Sequence, residues 1–227
     1  GAGTQTAGAE FGGNEGPGQS NTTHEKYNGT SWTTSTAMSN GRREHIGVGV
    51  TDAAYIAVGG ENPSGNYDGV EAWNGSSWSE VNELNTDRRR LNGGAAYTAG
   101  IVYGGSTGSV VSNVETWDGT NFTETTEINT ARDGFAGAGT QTSALGSGGY
   151  TTTFVAVTEH WNGSSWTELA DLSTARDCNN NGFGTADSAL VGGGNTGSAT
   201  AATELFDAPA VFNQIQEGQL FFNSTAN

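Results

Sequence analysis

The feature that most constrains this chain is a unit of about 45 residues written nearly five times. A glycine pair closes an apolar run at Gly12-Gly13, Gly59-Gly60, Gly104-Gly105, Gly148-Gly149 and Gly193-Gly194, so the second glycines step by 47, 45, 44 and 45 residues. After each pair comes a Glu-x-aromatic-Asn/Asp group: Glu25/Tyr27/Asn28, Glu71/Trp73/Asn74, Glu115/Trp117/Asp118, Glu159/Trp161/Asn162 and Glu204/Phe206/Asp207. A second aromatic follows at Trp32, Trp78, Phe122 and Trp166, and ten residues later an arginine, at 42, 88, 132 and 176. Self-similarity at such a period defines a repeat architecture, in which each unit buries its apolar face only against its neighbours.

Each unit reads as four short strands. Strand A is small and alternating (residues 46–50, IGVGV; residues 135–139, FAGAG). Strand B is the apolar run into the glycines (residues 55–60, YIAVGG; residues 101–105, IVYGG). Strand C carries the Glu-x-aromatic group and strand D follows the second aromatic, as in residues 166–169, WTEL. No segment sustains a 3.6-residue apolar period, and the 37 glycines disfavour helix. Four strands every 40 to 50 residues is the pattern of a β-propeller blade. The fold class expected is therefore all-β, a propeller of four-stranded blades, five in number if the chain closes on itself. The repeats fall at about 1–44, 45–90, 91–134, 135–178 and 179–213, so that 1–213 forms the propeller and 214–227 a closing strand or linker. The fifth unit departs from the pattern, and its last strand is either 211–215 or 219–223. A larger propeller with blades ahead of Gly1 is the alternative.

The WNGSSW stretches at 73–78 and 161–166, with WDGTNF at 117–122 between them, read as turns between strands C and D. Asn-Gly or Asp-Gly is expected to supply the positive-φ turn positions, with the flanking rings paired across the strands. In a chain with only 35 Leu, Ile, Val and Phe among 227 residues, these rings must carry much of the packing between sheets.

The pattern resembles the kelch repeat, through the glycine pairs and the aromatic pairs Tyr27/Trp32, Trp73/Trp78, Trp117/Phe122 and Trp161/Trp166. GAGTQT, EKYNGTSWTT and NTAR are also similar to repeat arrays of bacteriophage structural and tail-fibre-like proteins. That likeness implies a non-catalytic virion surface component, a tail-fibre or capsid-surface module, binding host-surface glycans or partner virion proteins. It also implies a place on the virion surface or outside the cell, and membership of a fibre as a homo-oligomer. A bacterial extracellular adhesin or protein-interaction propeller is the alternative, and a carbohydrate-active enzyme a weaker one.

Charge narrows the partners. With 24 acidic and 8 basic side chains the formal net charge is −16, which opposes binding to nucleic acid. No apolar run is long enough to span a membrane, so no membrane insertion is expected. The lone Cys178 and the dispersed His24, His45 and His160 offer no convergent ligand set, so neither a metal site nor any cofactor is expected. Evenly recurring glutamates argue for structure over catalysis, and no catalytic residue is assigned.

The B–C connections (14–24, 61–70, 106–114, 150–158 and 195–203) carry most of the length variation, which makes their face the candidate recognition surface. The candidate ligand-binding residues are Glu61, Asn62, Tyr67, Asp68, Arg89, Arg90, Tyr150 and Phe154. All seven arginines fall in the D–A connections, at the same end. Arg42, Arg88, Arg132 and Arg176 are expected to pair with the repeated glutamates. Arg43, Arg89 and Arg90 stand outside the repeat and are the better candidates for a ligand.

Overall fold

The computed structural model describes residues 1–16, 19–179 and 181–208; the two candidate last strands of unit five lie outside them. Five antiparallel sheets are arranged as a five-bladed β-propeller, and no helix forms among the described residues. Blade one comprises Ala2–Thr4, Ala7–Phe11, His24–Tyr27 and Trp32–Thr34 as strands A to D. Blade two comprises Ile46–Val48, Tyr55–Val58, Val70–Trp73 and Trp78–Val81. Blade three has Asn92–Ala96, Ala99–Tyr103, Val114–Trp117 and Phe122–Glu124, and blade four has Ala136–Thr140, Ser143–Ser147, Thr158–Trp161 and Trp166–Glu168. Blade five is described through Gly182–Gly184, Ser188–Gly192 and Thr203–Asp207. Within each sheet the strands lie in chain order.

The hydrophobic cores sit between blades. Ala9, Phe11 and Met38 of unit one pack on Tyr55, Ala57, Trp73 and Trp78 of blade two, while Tyr103 and Phe135 pack with Trp161 and Trp166 at the next-but-one interface. The C–D aromatic pairs face one another as expected: Trp73 opposes Trp78 with ring centroids 5.6 Å apart, and Trp161 opposes Trp166 at 5.4 Å. Each pair then becomes one wall of an interblade core, which is why a chain poor in aliphatic residues can still bury enough apolar surface. Trp78 and Trp166 also donate their indole N–H to carbonyls of the preceding unit, Thr36 and Thr126, at 3.1 Å each.

The C–D turn differs in detail from the expected one. Only the glycine takes positive φ (90 to 96° at Gly29, Gly75, Gly119 and Gly163). The preceding Asn or Asp instead caps the loop: Asn74 Oδ1 accepts the N–H groups of Ser76 and Ser77 at 3.0 Å, and Asp118 Oδ1 those of Thr120 and Asn121 at 2.8 Å. The side chain of an Asx turn replaces a second left-handed residue.

The glycine pairs close strand B where neighbouring loops come nearest. Gly59 and Gly60 have φ of 62° and 102°, and a Cβ would lie 2.8 Å from Arg88 O and 2.5 Å from Arg43 O respectively. No other residue fits both the conformation and the space.

Buried ion pairs tie successive blades. Arg42 reaches Glu71 (2.7 Å), Arg88 reaches Glu115 (2.5 Å), Arg132 reaches Glu159 (2.5 Å), and Arg176 pairs with Glu204. The pairing expected from the repeat is thus present, always from one unit to the strand C of the next. Backbone N–H groups complete each carboxylate: Ser39 and Asn40 donate to Glu71, Asn129 and Thr130 to Glu159. Such charge-assisted bonds are what make a buried carboxylate tolerable.

Candidate functional site

The D–A and B–C connections meet at one end of the propeller. Each D–A loop pairs with the B–C loop of the following blade, through the bridges Arg43–Glu61, Arg89–Ser106, Asp133–Tyr150 and Asp177–Asn195. Successive D–A loops are also bonded to one another, by Arg90 N–H to Glu44 O (2.8 Å), Gly134 N–H to Arg90 O (3.1 Å) and Cys178 N–H to Gly134 O (2.8 Å). This belt fixes the backbone that carries Arg43, Arg89 and Arg90.

The B–C loops of blades three, four and five share one tight conformation, with bridges Ser106–Val110, Tyr150–Phe154 and Asn195–Ala199. Those of blades one and two are instead small hairpins, Asn14–Gly16 with Gln19–Ser20 and Glu61–Asn62 with Gly65–Asn66. The loop face is therefore asymmetric.

Two charged clusters occupy this face. In the first, Glu61 is held between Arg89 Nη1 (2.6 Å) and Arg43 Nη2 (3.0 Å), with Glu44 3.7 Å from Arg89 Nε. Burial pushes the Glu61 carboxyl up, but the hydrogen bonds and charges of Arg89 and Arg43 outweigh it and hold the group below the usual carboxylate range. In the second cluster, Arg90 lies 3.1 Å from Asp133 and pairs with Asp177. Burial works against the charged guanidinium, yet Asp133 and Asp177 together raise its pKa, while burial lifts that of Asp133 in spite of Arg90.

Local conformation aims these side chains. Glu44 and Arg90 occupy matching positions two residues past the repeated arginine, and both are left-handed at φ 53°. Non-glycine residues are held there only by their surroundings, and such positions cluster at functional sites. The third copy of the position is Gly134, where a Cβ would lie 2.4 Å from Arg90 Nη2 and from Asp177 Oδ1. Its missing side chain is the space in which the Arg90–Asp177 pair forms.

Beside that pair lies a cleft of about 420 Å³ lined by Arg90, Asp177, Asn179, Asn181, Gly194, Asn195 and Ala199. Three amides, a guanidinium and a carboxylate around one space form a donor-and-acceptor set suited to a polyhydroxylated or anionic ligand. Of these residues only Arg90 was expected from sequence. The asparagine run from 179 was the available signal, but its place beside Arg90, next to an Asp177 that is 87 positions from that arginine, exists only in the fold.

The other expected residues fall in separate places. Tyr67 stacks under Arg42 at 4.8 Å and borders a second cleft, of about 260 Å³, with Glu80 and Glu83. Asn62 caps its own hairpin by accepting Ser64 N–H at 2.8 Å, and the Asp68 carbonyl accepts Leu84 N–H at 3.0 Å. Tyr150 and Phe154 pack edge-on at 5.7 Å. Arg89 and Arg90 each have carboxylate partners, so a ligand there meets ion pairs and not bare cations. Among the described residues no three His, Cys, Asp or Glu side chains converge on a metal position. The histidines serve blade contacts instead: buried His24 lies 2.5 Å from Tyr55 Oη, and His160 lies 3.2 Å from Ser143 Oγ.

No protein-family model matches the chain, and no curated protein matches it by sequence. Solved structures do match. The structure of YjhT superposes with a TM-score of 0.74, at 15% sequence identity, over 91% of this chain and 80% of that one. The likeness is one of fold. At that identity it says nothing of what this propeller binds.

Proposed function

We propose that this propeller is a non-catalytic binding module of a bacteriophage virion surface, in a tail fibre or on the capsid. It would hold host-surface glycans, or a partner virion protein, through the loop face. The cleft between Arg90, Asp177 and the three asparagines carries this reading: its groups match the hydroxyls and carboxylates of a sugar, and they sit on a belt of bonded backbone. Planar amides and ion-paired side chains are already oriented, which lowers the entropy lost when a flexible oligosaccharide binds. Support for a non-catalytic role comes from the repeated glutamates, since Glu71, Glu115, Glu159 and Glu204 are each committed to an interblade arginine. The kelch-like pattern and the likeness of the repeats to phage structural arrays support the virion context.

Binding to an array of neutral and acidic bacterial surface oligosaccharides tests the reading. Asn195→Ala should lower the affinity about tenfold with the melting temperature little changed. Arg90→Ala should lower it at least as much while also lowering the melting temperature, because it leaves Asp133 and Asp177 without their counter-charge. Undiminished binding by both variants would remove this cleft from the proposal. Capsid, portal or tail genes beside the coding sequence would support the virion setting, and a neighbourhood of unrelated metabolic genes would count against it.

A further inference from the structure

The second aromatic of the repeat recurs in four units, at Trp32, Trp78, Phe122 and Trp166, but its burial is not equal. Trp78, Phe122 and Trp166 are 8%, 8% and 6% exposed, each covered by the preceding unit, whereas Trp32 at the same position in blade one is 50% exposed. Glu71, Glu115 and Glu159 are fully buried by an arginine and backbone N–H groups of the preceding unit, whereas Glu25 is exposed and is given no arginine among the described residues. On the far face of blade five, Leu205 is 75% exposed, although Ala72 at the same position in blade two is 3% exposed. Phe183 in strand A of blade five is 64% exposed. Blade five thus presents an apolar face, and blade one presents an aromatic face with a carboxylate beside it.

We propose that this seam is the docking face for a sixth blade of the same repeat, delivered by polypeptide immediately upstream of Gly1. Charge complementarity specifies the occupant. Glu25 calls for an arginine and two backbone N–H groups, and residues 208–227 contain neither Arg nor Lys. A second copy of the chain has no arginine to spare, because Arg42, Arg88, Arg132 and Arg176 are consumed by its own glutamates and Arg43, Arg89 and Arg90 by loop carboxylates. Chain geometry specifies the source. In each blade the arginine that reaches strand C arrives on the loop leading into strand A of that same blade. Arg42, Arg88 and Arg132 each stand four residues before their strands at Ile46, Asn92 and Ala136. The arginine for Glu25 therefore belongs about four positions ahead of Ala2. A sheet on that segment would cover Trp32 and Tyr27 and present its other face to Leu205 and Phe183, completing the set of interblade cores.

The full chain, alone and with a second copy of its own residues 91–134 fused ahead of Gly1, tests the proposal. That fusion places the added copy of Arg132 four residues before Ala2, in register with the repeat. Iodide quenching of Trp32, isolated by difference against Trp32→Phe, should be strong in the chain alone and fall several-fold in the fusion. The melting temperature should rise, and Arg132→Ala in the added copy alone should reverse most of both changes. Equal quenching in the two proteins would overturn the proposal. So would a Trp32 already protected in the unfused chain, whether sedimentation finds a monomer closed on itself or a dimer of paired seams.

Discussion

The guanidinium of Arg42, on the loop leaving blade one, lies 2.7 Å from the carboxylate of Glu71 on the third strand of blade two, and neither side chain is exposed to solvent. Three more pairs repeat the arrangement around the ring. A sheet of four short strands has little core of its own, so the repeat is built around contacts that one unit can make only with the next.

Truncating one member of a pair should cost far more than replacing both. Glu71→Ala leaves Arg42 buried without its counter-charge and should lower the unfolding free energy by about 3–5 kcal/mol. The double change Arg42→Met with Glu71→Leu should recover most of that loss, because an apolar pair of similar volume carries no desolvation penalty. Urea denaturation of both variants, with the m-value checked for two-state behaviour, measures the difference.

The two tryptophans of equivalent sequence position should respond unequally. Trp78 packs within 5.1 Å of Phe11 and 5.5 Å of Tyr55 by ring centroids, so Trp78→Ala should destabilise by about 3–5 kcal/mol. Trp32 is half exposed, and Trp32→Ala should cost about 1 kcal/mol or less in the same chain. Thermal melts of the two variants side by side decide this.

Stability should fall on mild acidification. Burial lowers the pKa of His24, of His45 and of His160 below the ordinary 6.5. Each imidazole is thus a weaker base folded than unfolded, and the unfolded chain takes up more protons as the pH drops through 6.5. The stability present above pH 6.5 is then progressively lost below it. A melting temperature that decreases from pH 7.5 to pH 5.5, with a smaller decrease in His24→Gln, is the expected result.

Cys178 should be silent until the protein unfolds. It is fully buried between Ala136 and Val191, and burial pushes its thiol up to about 11. At pH 8 roughly one such thiol in a thousand is ionised, and the thiolate is the reactive form. Ellman's reagent should react slowly with the native protein and promptly in denaturant. Rapid reaction under native conditions would place Cys178 in an accessible setting.

Much of this molecule was legible in the order of its residues. Repetition exposes the blade, because every unit must meet the same demands. Gly59-Gly60 must turn where loops nearly touch, Trp73 and Trp78 must face the neighbouring sheet, and Arg42 must find a glutamate. Local chemistry therefore recurs at the repeat period and can be counted. Even the choice of Arg43, Arg89 and Arg90 as exceptional follows from their standing outside that period. The turn is less legible, since Asn74 acts through its side chain and not through a left-handed backbone.

What repetition cannot encode is the relation between units far apart along the chain. Arg90 meets Asp177 only because Gly134 leaves the space between them, and the asparagines join that cleft because blades three, four and five bring their loops to one end. No residue type announces this, for it depends on distances set by the ring as a whole. The exposure of Trp32 and Leu205 is of the same kind: both carry the ordinary residues of a blade interface, and only the tertiary arrangement decides that nothing among the described residues covers them. Sequence determined the blade, because short-range sterics and interblade pairing repeat with it. Tertiary structure decided the face, because a site is made where the repeats differ.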